Sequence, residues 1–330
     1  MARITTVIAC SHSPFLFQPI DWWNATRDAR PKSAEKIVDD DAENARKHDR
    51  TDAAFDKLRD VFRAAKPDVM IVFGDDQKEQ FDLRNFPALA VYVGGTFSGY
   101  KELSYIGVPG GQRVLKPKSP EHWTDVATKP ELAKALLDGL MSSGFDPAFM
   151  MGLPHEDHGM GHAFMRPAGK VTQGRFDVPM VPILVNCYYA PQPSARRCLA
   201  AARAIRKAVE AWPEDINVAV LGSGGLWHIP GTPDAYIDED FDQAILGYVR
   251  AGDADGMATY FDTWKPRQNL KCYEAFSGGT GMAGGIGSGT GETRTWIMAA
   301  GVADRPGMVV DYVPVYASPC GMGFAYWEMT

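Results

Sequence analysis

The feature that most constrains the fold is a set of short apolar runs, each of which ends in a polar turn. Residues 69–73 are the clearest case, because five apolar residues lead directly into Gly74, Asp75, Asp76 and Gln77. A continuous apolar run followed by turn residues is typical of a strand buried on both faces of a parallel sheet. In such sheets the functional site lies just beyond the carboxyl ends of the strands. We therefore expect residues 75–77 to face a site.

The same pattern recurs along the chain and alternates with helical periodicity. No repeat or linker interrupts it, so residues 1–330 are predicted to form one catalytic domain. The alternation predicts an α/β fold with a central mixed, largely parallel sheet flanked by helices and an active site at the strand carboxyl ends. Residues 21–41 are predicted to form an excursion or lid and residues 98–129 a loop. Strands are predicted at 4–9, 69–73, 88–93, near 148, at 180–186, 216–221 and 308–315, and helices at 45–65, 131–142, 193–211, 241–250 and 292–300.

Charge and composition exclude several classes of partner. The net charge is -7 and no Lys/Arg-rich run occurs, which argues against nucleic acid and anionic membranes. No apolar stretch approaches the roughly 20 residues that cross a bilayer, and the amino terminus lacks the pattern of a signal peptide. The cysteines are widely spaced, odd in number and without a CxxC pair, which is typical of reduced thiols in a cytoplasmic protein. They are Cys10, Cys187, Cys198, Cys272 and Cys320.

Histidines concentrate in the predicted strand-end loops. A lone histidine is usually structural, but five of the seven lie in such loops, which favours a metal or acid–base site. Familiar motifs do not fit: residues 155–158 (HEDH) lack the HExxH spacing of zinc proteases, and residues 279–284 match GxGxxG without a preceding strand. The loop at 222–225 lacks the GxSxG order of a nucleophile elbow. The five histidines are His12, His155, His158, His162 and His228.

Five motifs together resemble the class III extradiol ring-cleavage dioxygenases. The resemblance is to the catalytic β subunit of protocatechuate 4,5-dioxygenase and to its single-chain relatives that act on gallate and 3-O-methylgallate. Each motif alone is weak, but five in the same order along nearly the whole chain form a specific pattern. They are ITTVIACSHSP (4–14), KPDVMIVFGDDQKEQFD (66–82), EDHGMGHAF (156–164), EDINVAVLGSGGLWH (214–228) and GTGETRTWIMAAG (289–301).

The resemblance implies a non-haem Fe(II) site that cleaves a catecholic aromatic acid with O2. Carried over residue by residue, His12 is a metal ligand and Glu292 the carboxylate ligand. His228 matches the acid–base histidine, and His158 a second histidine near the substrate. The segments 21–41 and 260–283 are expected to close the pocket in place of a small partner subunit. The sequence leaves the particular catechol open, and it does not decide whether the protein forms a homo-oligomer.

The chain departs from the family at Gln77, where better-known members carry the second histidine ligand. Three interpretations stay open. In the first, Gln77 itself binds the metal or a metal-bound water, and it is the third residue of the expected set His12, Gln77 and Glu292. In the second, another residue completes the site, with His48, His162 and Asp76 as candidates. In the third, the site has lost its metal and the fold serves as a binding or scaffold protein, since fold does not fix function.

Overall fold

The computed structural model describes residues 1–29, 35–107, 114–228, 235–265 and 289–329. Within them the chain forms twelve strands and eight α-helices, and a short 3₁₀ helix (Pro14–Phe17) follows the first strand. The strands are β1 (Arg3–Cys10), β2 (Val69–Gly74), β3 (Leu89–Tyr92), β4 (Thr96–Tyr100), β5 (Tyr105–Ile106), β6 (Val114–Leu115), β7 (Trp123–Ala127), β8 (Ala148–Met150), β9 (Met180–Val185), β10 (Asn217–Ser223), β11 (Met308–Val315) and β12 (Cys320–Glu328). The helices are α1 (Ile20–Ala29), α2 (Asp41–Ala64), α3 (Pro130–Ser142), α4 (His162–Thr172), α5 (Ala195–Ala211), α6 (Glu239–Ala251), α7 (Ala254–Thr263) and α8 (Thr293–Ala303).

One eight-stranded sheet organises the fold, in the order β11-β12-β1-β10-β2-β9-β3-β8. The four central strands β1, β10, β2 and β9 run parallel, whereas β12 pairs antiparallel with β1, and β3 antiparallel with β9. The predicted mixed, largely parallel sheet is therefore confirmed. Both faces are covered: α3, α5 and α8 pack on one face, and α2 and α4 pack on the other.

Strand β2 shows why the apolar runs are continuous. Val69, Ile71 and Phe73 pack into the hydrophobic cluster on one face of the sheet, and Met70 and Val72 pack into the cluster on the other. Since side chains alternate between faces, a strand covered on both sides needs an apolar residue at every position. Burying a side chain of this size stabilises the fold by about 1.5–3 kcal/mol before the chain's lost entropy is counted.

The register of the central strands aligns their carboxyl ends. Cys10 pairs with Ser223, and Gly222 in turn pairs with Phe73, while Gly74 pairs with Leu184. The loops that follow β1, β2, β9 and β10 therefore begin at the same edge of the sheet. This alignment confirms the expected convergence of the loops after β1, β2 and β10, and it adds the loop after β9, which was not expected.

Some predicted segments differ from the structure. Residues 98–129, predicted to be a loop, contain the antiparallel pairs β4–β7 and β5–β6, with Phe97 and Val126 buried in the β4–β7 pair. These strands are only two to five residues long and pair across a long insertion, so they leave no clear periodicity. Helices α4 and α7 and strand β12 were not predicted, and residues 21–29 of the expected excursion belong to α1.

Part of the predicted pocket-closing segment lies outside the described residues, as do the glycines at 279–284 and Cys272. The cysteines Cys10, Cys187, Cys198 and Cys320 are free and buried, as predicted. Among the described helices, none has the length and apolar character needed to cross a bilayer.

A buried carboxyl group joins α6 to the loop after β10. Asp242 is 0% exposed and accepts hydrogen bonds from the backbone N–H of Trp227 and the hydroxyl of Tyr312, both at 2.7 Å. Burial raises the pKa of Asp242 to about 8, although these two hydrogen bonds oppose the shift. The fold therefore favours the protonated form of this group.

The raised pKa predicts a pH-dependent stability. An unfolded aspartate has a pKa of about 3.9, so the stability contributed by the protonated form is fully present below about pH 4 and is lost as the pH rises through 8. We expect Asp242→Asn to remove this dependence. Urea unfolding at pH 5 and pH 8 should show wild type losing stability relative to the variant at the higher pH. A difference that stays constant with pH would contradict the assignment.

Candidate functional site

Residues from four strand-end loops and two helix starts meet at the carboxyl edge of the sheet. His12 follows β1, residues 75–77 follow β2, Tyr188 follows β9, and His228 ends the loop after β10. Glu292 lies at the N-cap of α8, and His162 is the first residue of α4. Most of these side chains are buried, so the interactions among them act in a low-dielectric environment.

The tautomer of His12 is set by a chain of hydrogen bonds that starts in α4. Pro167 has no N–H, so the carbonyl of Ala163, four residues earlier, is left without its helical partner. The hydroxyl of Ser223 donates to that carbonyl, and its oxygen lies 3.0 Å from Nδ1 of His12. Because the hydroxyl has one proton, Nδ1 must be the donor to Ser223. The lone pair of His12 is therefore on Nε2.

Nε2 of His12 faces two carboxylates. It lies 3.3 Å from Oε2 of Glu292 and 3.9 Å from Oδ1 of Asp75. Burial lowers the pKa of His12 to about 4, and the attraction of Glu292 offsets this only in part. A neutral imidazole with its free lone pair directed at carboxylates is the form that binds a metal.

Glu292 is the most fully hydrogen-bonded carboxylate of the site. Oε1 accepts from the amide of Gln77 at 3.1 Å and from the hydroxyl of Tyr188, and Oε2 accepts from the backbone N–H of Gly225 at 2.5 Å. Gly224 permits this approach, since a Cβ there would lie 2.8 Å from the Cβ of Glu292. Burial acts to raise the pKa of Glu292, but His12 and His228 outweigh it and lower the pKa well below the usual range.

His228 and Tyr188 form a hydrogen-bonded pair beside Glu292. Nε2 of His228 lies 2.8 Å from the hydroxyl of Tyr188 and 3.3 Å from Oε1 of Glu292. Burial acts to lower the pKa of His228, but the negative charge of Glu292 raises it overall. The negative charge of Glu292 thus favours a proton on this pair, and the hydrogen bond between the two groups lets them exchange it, as an acid–base catalyst must.

Tyr188 was missed by the sequence analysis. It follows the buried run of β9 in the same way that Gln77 follows β2, so the strand-end rule applied to residues 186–188 would have found it. The predicted site loops contain Gly, His or Asp after the strand, whereas this turn contains Asn186, Cys187 and Tyr188.

The two aspartates after β2 have different roles. Asp76 accepts hydrogen bonds from the backbone N–H groups of Gln80 and Phe81, at 2.9 and 3.1 Å, and so caps the following turn. Asp75 is 0% exposed, and neither carboxylate oxygen has a hydrogen-bond partner among the described residues. Burial, reinforced by repulsion from Glu292, raises the pKa of Asp75 well above its usual range. The Gln77 amide lowers it in part without meeting the geometry of a hydrogen bond.

His162 is oriented toward His12 and Asp75. Its Nδ1 lies 2.8 Å from Oε2 of Glu79, its backbone N–H donates to Oε1 of the same residue, and its ring centroid is 4.6 Å from that of His12. Burial acts to raise the pKa of Glu79, but His162 outweighs it and lowers the pKa to about 2. One ligand atom each of His12, Asp75 and His162 lies within 4.8 Å of the others.

The remaining predicted residues occupy different positions. Gln77 contacts the centre through its amide nitrogen, which donates to Glu292 and, at 3.3 Å, to Tyr188. His158 lies in the loop before α4 with 55% of its side chain exposed, and its Nδ1 is 3.1 Å from the backbone oxygen of Glu79. His48 lies in α2, where its ring packs against Trp23 of α1 and its Nε2 hydrogen-bonds to the backbone oxygen of Gln18.

The donor set fits a divalent cation. His12 offers a neutral nitrogen, Glu292 and Asp75 offer carboxylates, and the oxygens of Asp75 lack partners in the described part of the chain. A buried carboxylate without partners is unfavourable unless it is protonated or bound to a cation. Imidazole and carboxylate ligands together suit iron and related transition metals.

Comparison with known proteins identifies the family to which this fold belongs. A family model described as the catalytic LigB subunit of aromatic ring-opening dioxygenase matches residues 35–322. Gallate dioxygenase of Pseudomonas putida is 30% identical over 131 residues, which cover 39% of this chain and 37% of that protein.

A second relative is the 2,3-dihydroxyphenylpropionate/2,3-dihydroxicinnamic acid 1,2-dioxygenase of Photorhabdus laumondii. It is 28% identical over 179 residues, covering 54% of this chain and 49% of that protein. The chain thus spans about half or less of the length of these two relatives. Since the family model covers most of the 330 residues, the chain belongs to the LigB family of catalytic subunits of aromatic ring-opening dioxygenases.

Proposed function

We propose that the protein is a non-haem Fe(II)-dependent extradiol dioxygenase that opens the ring of a catecholic aromatic acid with O2. The observation that carries this proposal is the position of Glu292 between two histidines of different character. One of its oxygens lies 3.3 Å from His12, a neutral ligand, and the other lies 3.3 Å from His228, a residue with a raised pKa. This arrangement supports a metal centre next to an acid–base group in a chain of the ring-opening family.

In this proposal His12 holds the iron, and Glu292 and Gln77 are the two other residues expected from the resemblance. Bound Fe(II) would supply the coordination sites at which a catechol and O2 are brought together, a role that open non-haem iron sites perform. The chain supplies the orientation of these residues: Ser223 fixes His12, and Tyr188, Gln77 and Gly225 fix Glu292.

The acid–base work falls to His228. A catechol must lose its hydroxyl protons when it binds, and a proton must return as the ring opens. Nε2 of His228 is hydrogen-bonded to Tyr188 and adjacent to Glu292, so a proton held there is stabilised by negative charge and can pass to or from the tyrosine hydroxyl. His158 is proposed to contact the substrate from the loop before α4, where its exposed ring is anchored to the backbone of Glu79.

The proposed substrate is a monocyclic catechol that carries a carboxylate, of the protocatechuate, gallate or 3-O-methylgallate type. Two relatives are named for gallate and for 2,3-dihydroxyphenylpropionate, which supports this class. The buried free cysteines fit a reducing compartment, so we propose a cytoplasmic enzyme. We leave its assembly into a homo-oligomer to measurement of its mass in solution.

Oxygen uptake tests the function directly. Protein loaded anaerobically with Fe(II) should consume O2 when it is given at least one of these three catecholic acids, and the metal-free protein should not. His12→Ala is the matched control, since it removes a proposed ligand. Failure of the iron-loaded protein on the entire panel would refute the proposed substrate class, and iron binding without any catechol turnover would favour a binding protein.

Replacing the acid–base histidine should separate metal binding from turnover. His228→Phe keeps an aromatic ring and removes the titrating group, so we expect wild-type iron content and a kcat lowered by about 10²–10⁴-fold, the range for loss of a general acid–base group. Iron analysis and steady-state kinetics measure the two effects. Full activity in the variant would make His228 a structural residue.

Tyr188 should act through its hydroxyl. Tyr188→Phe leaves the ring in place but removes the hydrogen bonds to His228 and Glu292, and we expect kcat to fall by about 10-fold or more, consistent with the loss of a hydrogen bond to a charged group. Tyr189→Phe is the matched control because the neighbouring ring contacts Phe86 and not His228 or Glu292. Equal kinetics in the two variants would contradict a role for the Tyr188 hydroxyl.

A further inference from the structure

The two buried carboxylates of the site, Glu292 and Asp75, differ in their hydrogen-bond partners. Glu292 accepts hydrogen bonds from Gln77, Tyr188 and Gly225, so its charge is stabilised by the chain itself. Asp75 is equally buried, yet both of its oxygens are without hydrogen-bond partners in the residues that the structure describes. A cation beside Asp75 would therefore supply the partner that this carboxylate lacks among the described residues.

Two histidines face Asp75 in the form that binds a metal. The Ser223 hydroxyl donates to the carbonyl of Ala163 and so accepts from Nδ1–H of His12. The lone pair on Nε2 of His12 is therefore available to a metal. Glu79, an acceptor at both oxygens, holds the N–H at Nδ1 of His162. Metal-binding histidines are typically oriented in this way, with the second ring nitrogen donating to a hydroxyl, carbonyl or carboxylate.

The Gln77 side chain is oriented to donate hydrogen bonds and not to bind a metal. Oε1 of Glu292 only accepts hydrogen bonds when ionised, so the part of the Gln77 side chain that faces it is the NH2 group. An NH2 group carries no lone pair for a metal. Gln77 therefore supports Glu292 and Tyr188, and the second nitrogen ligand must come from elsewhere in the chain.

We propose that His162, together with Asp75 and His12, forms the iron site of this protein, and that His162 supplies the nitrogen that the chain lacks at position 77. One ligand atom of each residue lies within 4.8 Å of the others, close enough for a single ion. Two histidines and one carboxylate are the ligand set preferred by non-haem Fe(II). This inference rests on the proposed function for the identity of the metal, but the ligand set can be tested without turnover.

Two sources of positive charge near His162 oppose the binding of a cation and so limit the metal affinity of the site. Arg166 is buried and donates to the backbone oxygen of His12, and the N-terminus of α4 is the positive end of a helix dipole. The carboxylate of Glu79 is hydrogen-bonded to both the backbone N–H and the ring of His162. Its negative charge therefore offsets the positive charge of Arg166 and of the helix dipole at His162. Asp75 would supply negative charge to a bound ion.

Metal affinity and ligand counting test the assignment. Co(II) is used as the probe, under anaerobic conditions, with the dissociation constant measured by competition against a chelator and by visible absorption. We expect His162→Gln to raise Kd by at least about 100-fold, the upper limit for losing an outer-shell partner, and Gln77→Ala to raise it by less than about 10-fold. His48→Gln is the matched control and should leave Kd unchanged. X-ray absorption of the Fe(II) form should count two imidazoles in wild type and one in His162→Gln.

Asp75→Asn gives a second readout that a structural role would not produce. Asp75 is a buried carboxyl group without hydrogen-bond partners among the described residues, which is unfavourable in the metal-free fold. The metal-free variant should therefore melt at a higher temperature than wild type, while its Co(II) affinity falls. A lower melting temperature together with unchanged affinity would overturn the role of Asp75. The melting curves also show whether His162→Gln folds.

The outcomes separate this inference from the proposed function. Loss of affinity in Gln77→Ala, with His162→Gln like wild type, would overturn the inference and restore Gln77 as a ligand even where wild type consumes O2. Loss of affinity in His48→Gln would likewise overturn it. Metal binding that depends on His162 and Asp75, without O2 uptake on any catechol, would support the ligand set and refute the proposed function.

Discussion

Burial of two carboxylates at one edge of the sheet is the constraint on which the site depends. Asp75 and Glu292 are both 0% exposed, and each must be protonated, hydrogen-bonded or bound to a cation to be tolerated there. The chain meets this requirement differently at the two positions. Glu292 is held by three hydrogen-bond donors and adjoins His228, whereas Asp75 is left to face His12 and His162. The structure thus separates a proton-handling side of the site from a side suited to a metal.

The parallel register makes this separation possible. Because β1, β10, β2 and β9 end at the same edge, short loops bring residues that are far apart in sequence to within a few ångströms of one another. The helices then add Glu292 and His162 from opposite faces of the sheet. A break in one helix also contributes, since Pro167 frees the carbonyl that fixes Ser223 and hence the tautomer of His12.

The fold and much of the site could be predicted from the sequence because buried strands leave continuous apolar runs. His12, Gln77 and His228 were predicted at the sheet edge because they follow such runs, and Glu292 was expected from the resemblance. The structure brings the four together. The distinction between Asp75 and Asp76 was not predictable, since it depends on which carboxylate meets the backbone N–H groups of Gln80 and Phe81.

His162 was predicted only as one of several candidate metal ligands, because helix α4 was not predicted. The glycines before it suggested a loop, but Gly161 has a packing role: a Cβ there would lie 2.6 Å from Oε2 of Glu79. A side chain at position 161 would therefore displace the Glu79 carboxylate from its contact with His162. A sequence pattern cannot report that contact, because it arises from two segments that meet only in the folded chain.

The incorporation of labelled dioxygen into the product tests most directly whether this chain opens a catechol ring. The Fe(II)-loaded protein would be incubated with protocatechuate, gallate or 3-O-methylgallate under ¹⁸O2, and the products would be analysed promptly by mass spectrometry. The account predicts a ring-opened product that carries both atoms of one O2 molecule, apart from label exchanged with water. An intact ring, or a product whose oxygen comes from water alone, would contradict it.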